Sequence, residues 1–171
     1  EEDQKKIKNF TSYLKLLDRK KIILDQNLRK QLIVKQIDKV CRAKKLKKKL
    51  NEKLLDEVVD LVEKPNVLLG KFDKSFLNIP KEILITSMQQ HQKYFPLFNQ
   101  EDNLTNFFII VTNLEDKKGL VKIGNERVIS ARLSDAKFFW EKNKAQSLVK
   151  QVGNLKSINF FSKLGTLFHK V

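Results

Sequence analysis

One cysteine, two histidines and five scattered glycines leave this 171-residue chain short of the residues from which metal, disulfide and nucleotide sites are built. Cys41 alone permits no internal disulfide, and with only His91 and His169 beside it no zinc-type spacing can be assembled. A reducing compartment and no structural metal are therefore expected. Gly70, Gly119, Gly124, Gly153 and Gly165 stand apart, and no Gly-Lys-Ser/Thr triplet occurs, which excludes a phosphate loop or dinucleotide fingerprint. Nothing in the sequence pairs Cys41 with His91 as nucleophile and base, and acid pairs such as Glu57 with Asp60 or Glu126 with Asp135 arise by chance in a chain that is 32% charged. No catalytic residue is assigned. No apolar run approaches the ~20 residues of a membrane span, and Glu1-Glu2-Asp3 is unlike an export signal. These absences predict a soluble, cytoplasmic protein with no membrane partner. The opening Glu1 and the closing stretch at Val171 read as the ends of a segment of something longer.

What is abundant is positive charge. A formal net charge of +15 favours a polyanionic partner, because neutralising phosphates releases condensed counterions. Only Arg19, Arg29, Arg42, Arg127 and Arg132 among the 35 basic residues are arginine, the better bidentate reader of phosphates and bases. Lysine, asparagine and isoleucine are also the residues favoured by AT-rich coding, so part of the charge is compositional.

Hydrophobic spacing divides the chain into three textures. Glu2 to Leu17 carries Ile7, Phe10, Leu14 and Leu17 at helical spacing, and Lys21-Ile22-Ile23-Leu24 reads as a brief strand. Asp25 is placed to cap a helix with Ile33, Ile37, Val40 and Cys41 on one face, and Asn51 to cap another with Leu54, Leu55, Val58, Val59 and Val62, stopped by Pro65. Between them lies the densest basic run, Arg42 to Lys53, whose solvated-helix reading competes with an RNA contact through Lys44, Lys45 and Lys48. Beyond Pro65, strands are expected at Val67 to Phe72, at Phe76-Leu77, at Tyr94 to Phe98 and at Phe107 to Val111, with Pro80 opening a helix that runs to about His91. The unbroken apolar run Phe107 to Val111 suggests a strand buried on both faces, joined to its predecessor by a hairpin through Asn99 to Asn103. The last third is helical, with Asn125 as cap, the stripe Ile129, Leu133, Ala136 and Trp140, and a further helix from about Ala145 to Leu155. The fold class expected is α+β: an N-terminal helical arm over 1–64, then a core over 65–171 with a mainly antiparallel sheet followed by helices.

Two segments mix residue types that no simple periodicity requires. In His91-Gln92-Lys93-Tyr94-Phe95-Pro96, Lys93 and Tyr94 suit a phosphate and an unpaired base, while the alternative puts Tyr94 and Phe95 in the core and leaves His91 to end the helix. In the segment from Gly124 to Trp140, Arg132 and Asp135 are spaced to pair on a helix, and Arg127 is free for an anion.

These segments resemble the β subunit of bacterial two-subunit glycyl-tRNA synthetase. That family carries Leu-Val-Glu-x-Pro, His-Gln-x-Tyr-Phe-Pro, Gly-Asn-Glu-x-Val running into Arg-Leu-x-Asp-Ala-x-Phe-Phe, and Leu-Gly-Thr-Leu. Here they stand in the same order as Leu61 to Pro65, His91 to Pro96, Gly124 to Phe139, and Leu164 to Leu167. His91, Gln92, Pro96, Asn125, Glu126 and Asp135 are thereby marked as motif residues, and Lys93, Tyr94, Arg127 and Arg132 as tRNA-binding candidates beside Lys44, Lys45 and Lys48. The chain departs from the family's pattern at Ser130, commonly arginine, and at His169, commonly acidic. The resemblance implies that ATP and glycine are handled on a separate α subunit, with no cofactor in this segment, while the β subunit binds tRNA and completes the assembly. It also implies similarity to the editing-type module of the phenylalanine enzyme, so a vestigial hydrolase of mischarged tRNA and a purely structural scaffold remain the alternatives.

Overall fold

The computed structural model describes residues 7–145, 147–161 and 165–170, which fall into two compact units divided between Leu133 and Ser134.

The first unit is built around a four-stranded sheet. Its helices and strands follow in the order α1 (Phe10–Arg19), α2 (Gln26–Lys44), β1 (Lys47–Lys48), α3 (Glu52–Leu61), β2 (Asn66–Lys71), a 3-10 turn (Lys74–Asn78), α4 (Lys81–Thr86), a π turn (Ser87–His91), β3 (Phe95–Phe98) and β4 (Leu104–Thr112). Helix α5 (Leu120–Ala145) belongs to this unit as far as Leu133. The sheet order is β1-β3-β4-β2, with every neighbouring pair antiparallel. The expected α+β class and the β3–β4 hairpin are both present.

Strand β4 explains why its sequence is apolar without a break. Successive side chains point to opposite faces, and each face has its own core. Ile109, with Phe95 and Leu97 of β3, packs against Ile33, Ile37 and Cys41 of α2 and Leu54, Leu55, Val58 and Val59 of α3. Phe108 and Ile110 pack on the other side with Phe72, Leu84, Met88, Tyr94, Ile129 and Leu133. Burying each such large side chain stabilises by about 1.5–3 kcal/mol, so a strand covered on both sides is the centre of the unit. Helices α2 and α3, which belong to the expected arm, share a core with the sheet.

The helix caps form where the short polar side chains stand. Asp25 Oδ1 accepts the Leu28 N–H at 3.1 Å and Asn51 Oδ1 that of Leu54 at 3.3 Å, satisfying donors that the first helical turn leaves unpaired. Gln36 fastens α2 to edge strand β2, donating to the Pro65 carbonyl at 2.9 Å and accepting the Val67 N–H at 3.1 Å.

Several expectations are corrected. The first helix begins at Phe10, capped by Asn9, and the expected part before residue 7 lies outside the described residues. Lys21 to Leu24 is not a strand. Ile23 donates one backbone bond to Glu63, while Arg29 takes the carbonyls of Ile23, Leu24 and Val59, so a guanidinium replaces the ladder. Phe76 and Leu77 lie in the 3-10 turn, where Asp73 caps Ser75 at 2.7 Å. Asn125 lies inside α5 and does not cap it. Gly119, at φ +72, turns the chain so that Asp116 accepts the N–H groups of Val121 and Lys122, and the helix starts at Leu120, five residues before Asn125.

In the second unit, α5 is followed by α6 (Leu148–Val152), a 3-10 turn (Gly153–Ser157), the pair β5 (Asn159–Phe161) and β6 (Gly165–Thr166), and α7 (Leu167–Lys170). The single helix expected from Ala145 to Leu155 is thus a short helix and a 3-10 turn. Leu164 of the last motif lies outside the described residues. Gly165 takes φ +80, and a Cβ there would come within 2.8 Å of His169 Nδ1, which accepts the Thr166 N–H.

Candidate nucleic-acid interface

The basic run does not form the solvated helix face that its leucine spacing suggested. Helix α2 ends when Lys45 enters the left-handed region at φ 53. Its N–H then returns to the Arg42 carbonyl and that of Leu46 to the Cys41 carbonyl, a helix-ending pattern usually given to glycine. The reversed chain forms β1, whose Lys47 and Lys48 pair opposite Phe98 and Leu97. Lysines on a two-residue edge strand also discourage edge-to-edge pairing with other chains.

The carboxylates near this run are few and already engaged. Lys48 Nζ meets Asp38 at 2.7 Å, and Lys47 and Lys49 share Asp102 at 3.2 and 3.7 Å. The Lys47 ammonium, and then Lys49, holds the Asp102 carboxyl below its ordinary range. Gln100 donates to the Lys45 carbonyl at 2.7 Å and docks the hairpin turn against the run. Arg42, Lys44 and Lys45 form no ion pair among the described residues. A shallow groove of about 760 Å³ runs alongside, lined by Arg42, Lys45, Lys47, Lys48 and Gln100.

The segment from His91 to Pro96 has a different role. Tyr94 is only 4% exposed, its ring 4.9 Å from that of Phe108 and its hydroxyl donating to Asn125 Oδ1 at 2.5 Å. Burial pushes its phenol up to about 12. The expected base contact by Tyr94 is corrected, since its ring is enclosed by protein. Phe95 is fully buried, which is the core reading of this pair. Lys93, held at φ 57, pairs with Glu57 on α3. Gln92 is half-buried and His91, closing the π turn, is exposed. Pro96 pairs with Phe108 but lies outside the two residues that β1 covers, so its missing N–H leaves that short ladder intact.

Asn125 and Glu126 tie α5 to the sheet. Asn125 donates to the Val121 carbonyl at 2.7 Å while accepting from Tyr94, and Glu126 Oε1 accepts the Lys71 N–H at 2.9 Å at the end of β2. With its neighbours so employed, Arg127 projects from the next position, exposed and without a hydrogen bond or ion pair among the described residues. It lines a groove of about 610 Å³ together with Lys71, Lys74 and Asn106. Sequence reasoning missed Lys71 and Lys74, because only the β2–β4 pairing carries them to α5. Arg132 and Asp135 are exposed on α5 and form no ion pair among the described residues.

Chemically the described residues offer cation and amide donors. No group of three or more His, Cys, Asp or Glu side chains able to hold a metal occurs among them, and no described helix is long and apolar enough to cross a membrane.

Comparison with known proteins agrees with the motif series. The family model described as glycyl-tRNA synthetase beta subunit matches residues 1–171. The chain is 42% identical to the glycine-tRNA ligase beta subunit of Syntrophomonas wolfei over 166 residues, covering 96% of this chain and 24% of that protein. Against the beta subunits of Rickettsia felis and Halothermothrix orenii it is 40% identical over 172 and 171 residues, covering 99% of this chain in both cases and 26% and 25% of those proteins. The chain thus spans about a quarter of the length of the curated relatives it matches. On a family match over its whole length and identities of this size, this chain belongs to the glycyl-tRNA synthetase beta subunit family.

Proposed function

We propose that this segment holds tRNA electrostatically within a cytoplasmic glycine-tRNA ligase, while ATP and glycine are activated on a separate α subunit with which the beta subunit assembles. The observation that carries this reading is the end of α2. Arg42, Lys44, Lys45, Lys47, Lys48 and Lys49 stand within eight residues, and among the described residues only Asp38 and Asp102 answer them in ion pairs. Such an excess of fixed positive charge on a turn and an edge strand suits a phosphate backbone, to which cations contribute through counterion release.

The test is filter binding of glycine tRNA and of an unrelated tRNA across a salt series, comparing the chain with its Arg42→Gln/Lys44→Gln/Lys45→Gln variant. These three are chosen because none has an ion-pair partner among the described residues, whereas replacing Lys48 would leave Asp38 unpaired. The expected result is salt-sensitive binding whose log-log slope falls by about 2–3 in the variant, roughly one unit for each phosphate no longer neutralised. Unchanged affinity and slope would favour the scaffold reading, for which the engagement of Lys47, Lys48 and Lys49 by carboxylates already speaks.

A further inference from the structure

We propose a second RNA contact, independent of the lysine run: a backbone-phosphate site in the groove between the end of β2, the 3-10 turn and α5, with Arg127 as its principal ligand and Lys71 and Lys74 flanking it. The proposal rests on the tRNA reading above and adds a place on the molecule to it.

Three observations support the site. First, its cations are uncommitted while its carboxylates are engaged. Arg127, Lys71 and Lys74 form no ion pair among the described residues. Asp73 is occupied by the Ser75 N–H at 2.7 Å, and Glu126 by the Lys71 N–H at 2.9 Å and by Lys122 Nζ at 3.8 Å. Second, the framework is rigid. Phe72 exchanges bonds with Asn106, its N–H donating to the Asn106 carbonyl at 3.0 Å and its carbonyl accepting from Asn106 Nδ2 at 2.8 Å. The Lys71–Glu126 bond fastens β2 to α5, so three cations separated by up to 56 residues of sequence are brought together by tertiary structure before any ligand arrives. Third, the residue type is informative. In a chain with 30 lysines and five arginines, arginine is the scarce cation, and its planar fork can do what a lysine ammonium cannot. Arg29 shows this, spending its guanidinium on three backbone carbonyls. Arg127 has the same fork and no acceptor among the described residues, and a phosphate offers the matching pair of oxygens.

The ligand class is the phosphodiester of an RNA strand. The groove is open and about 610 Å³, room for one or two nucleotides rather than an enclosed small molecule.

The experiment is binding of glycine tRNA to the 171-residue chain and to Arg127→Gln, Arg127→Lys and Lys71→Gln/Lys74→Gln, across a salt series, with phosphate-ethylation interference on the same tRNA. Arg127→Gln is expected to weaken binding roughly tenfold near 0.1 M salt and lower the slope by about 1. Arg127→Lys should keep the slope yet bind more weakly, because charge remains and the fork is removed. The ethylation pattern should lose one or two phosphates in Arg127→Gln that remain in the Arg42/Lys44/Lys45 variant. If the chain binds tRNA and all three groove variants bind with unchanged affinity, slope and interference pattern, the groove is not an RNA contact, whatever the lysine run does. If the unmodified chain does not bind glycine tRNA at low salt, the tRNA reading itself fails and this site with it. Should Arg127→Gln lower the urea midpoint, the Lys71/Lys74 variant, which alters only exposed side chains, carries the decision.

Discussion

Gly70 lies directly opposite Phe108 on neighbouring strands β2 and β4, and a Cβ added there would stand 2.5, 2.8 and 3.0 Å from three carbons of the Phe108 ring. Carbon atoms attract best at about 3.5–4.0 Å, so all three approaches are repulsive. The ring cannot swing away at little cost. It is fully buried, tilted against Tyr94 at 4.9 Å and stacked with Phe72 at 6.3 Å. Gly70→Ala, which in an open strand would stabilise by relieving the glycine's backbone entropy, is therefore expected to destabilise by about 1–3 kcal/mol, the usual cost of overpacking. Phe108→Leu alone should cost about 1–2 kcal/mol through the smaller volume and the missing ring-ring attraction. Together the two should cost less than their sum, because leucine vacates the space that the methyl needs. The assay is urea unfolding followed by far-UV circular dichroism, with hydrogen exchange at the β4 amides to localise the loss. Trp140 is unsuited as a probe, since it belongs to the second unit. A neutral or stabilising Gly70→Ala, or strictly additive effects in the double variant, would refute the close approach of Gly70 to the ring.

Two further predictions concern buried titratable groups. Tyr94 ionises near its ordinary value when unfolded but only at about 12 when folded, so the unfolded state sheds its proton first and stability should fall as pH rises from about 10 towards 12. Tyr94→Phe should flatten that fall, and at neutral pH should cost about 1 kcal/mol for the hydrogen bond to Asn125; an unaltered alkaline profile in urea titrations would contradict the buried phenol. Cys41 is 5% exposed and burial pushes its thiol up, so a disulfide reagent at pH 8 should modify it only as fast as the first unit opens. Rapid labelling in native buffer, with no response to stabilising salt, would count against its place on the buried face of α2.

The parts of this protein that are legible in its sequence are the local ones. Asp25 and Asn51 announce their helices because a short side-chain oxygen followed by an apolar stripe meets the unpaired N–H groups of a first turn wherever it occurs. The continuous run Phe107 to Val111 declares a strand covered on both faces, and the four ordered motifs declare the family. Periodicity misled where a side chain five or six residues away took backbone groups that the apolar pattern does not report. Arg29 turned Lys21 to Leu24 from a strand into a strapped segment, and Asp116 moved the start of α5 ahead of Asn125. The assignment of Tyr94, Lys93 and Arg127 lay beyond local reading for a different reason. Whether a polar or aromatic side chain faces the core, an ion-pair partner or an open groove depends on Phe108, Glu57 and Lys71, residues 14 to 56 positions away that only the folded sheet brings alongside.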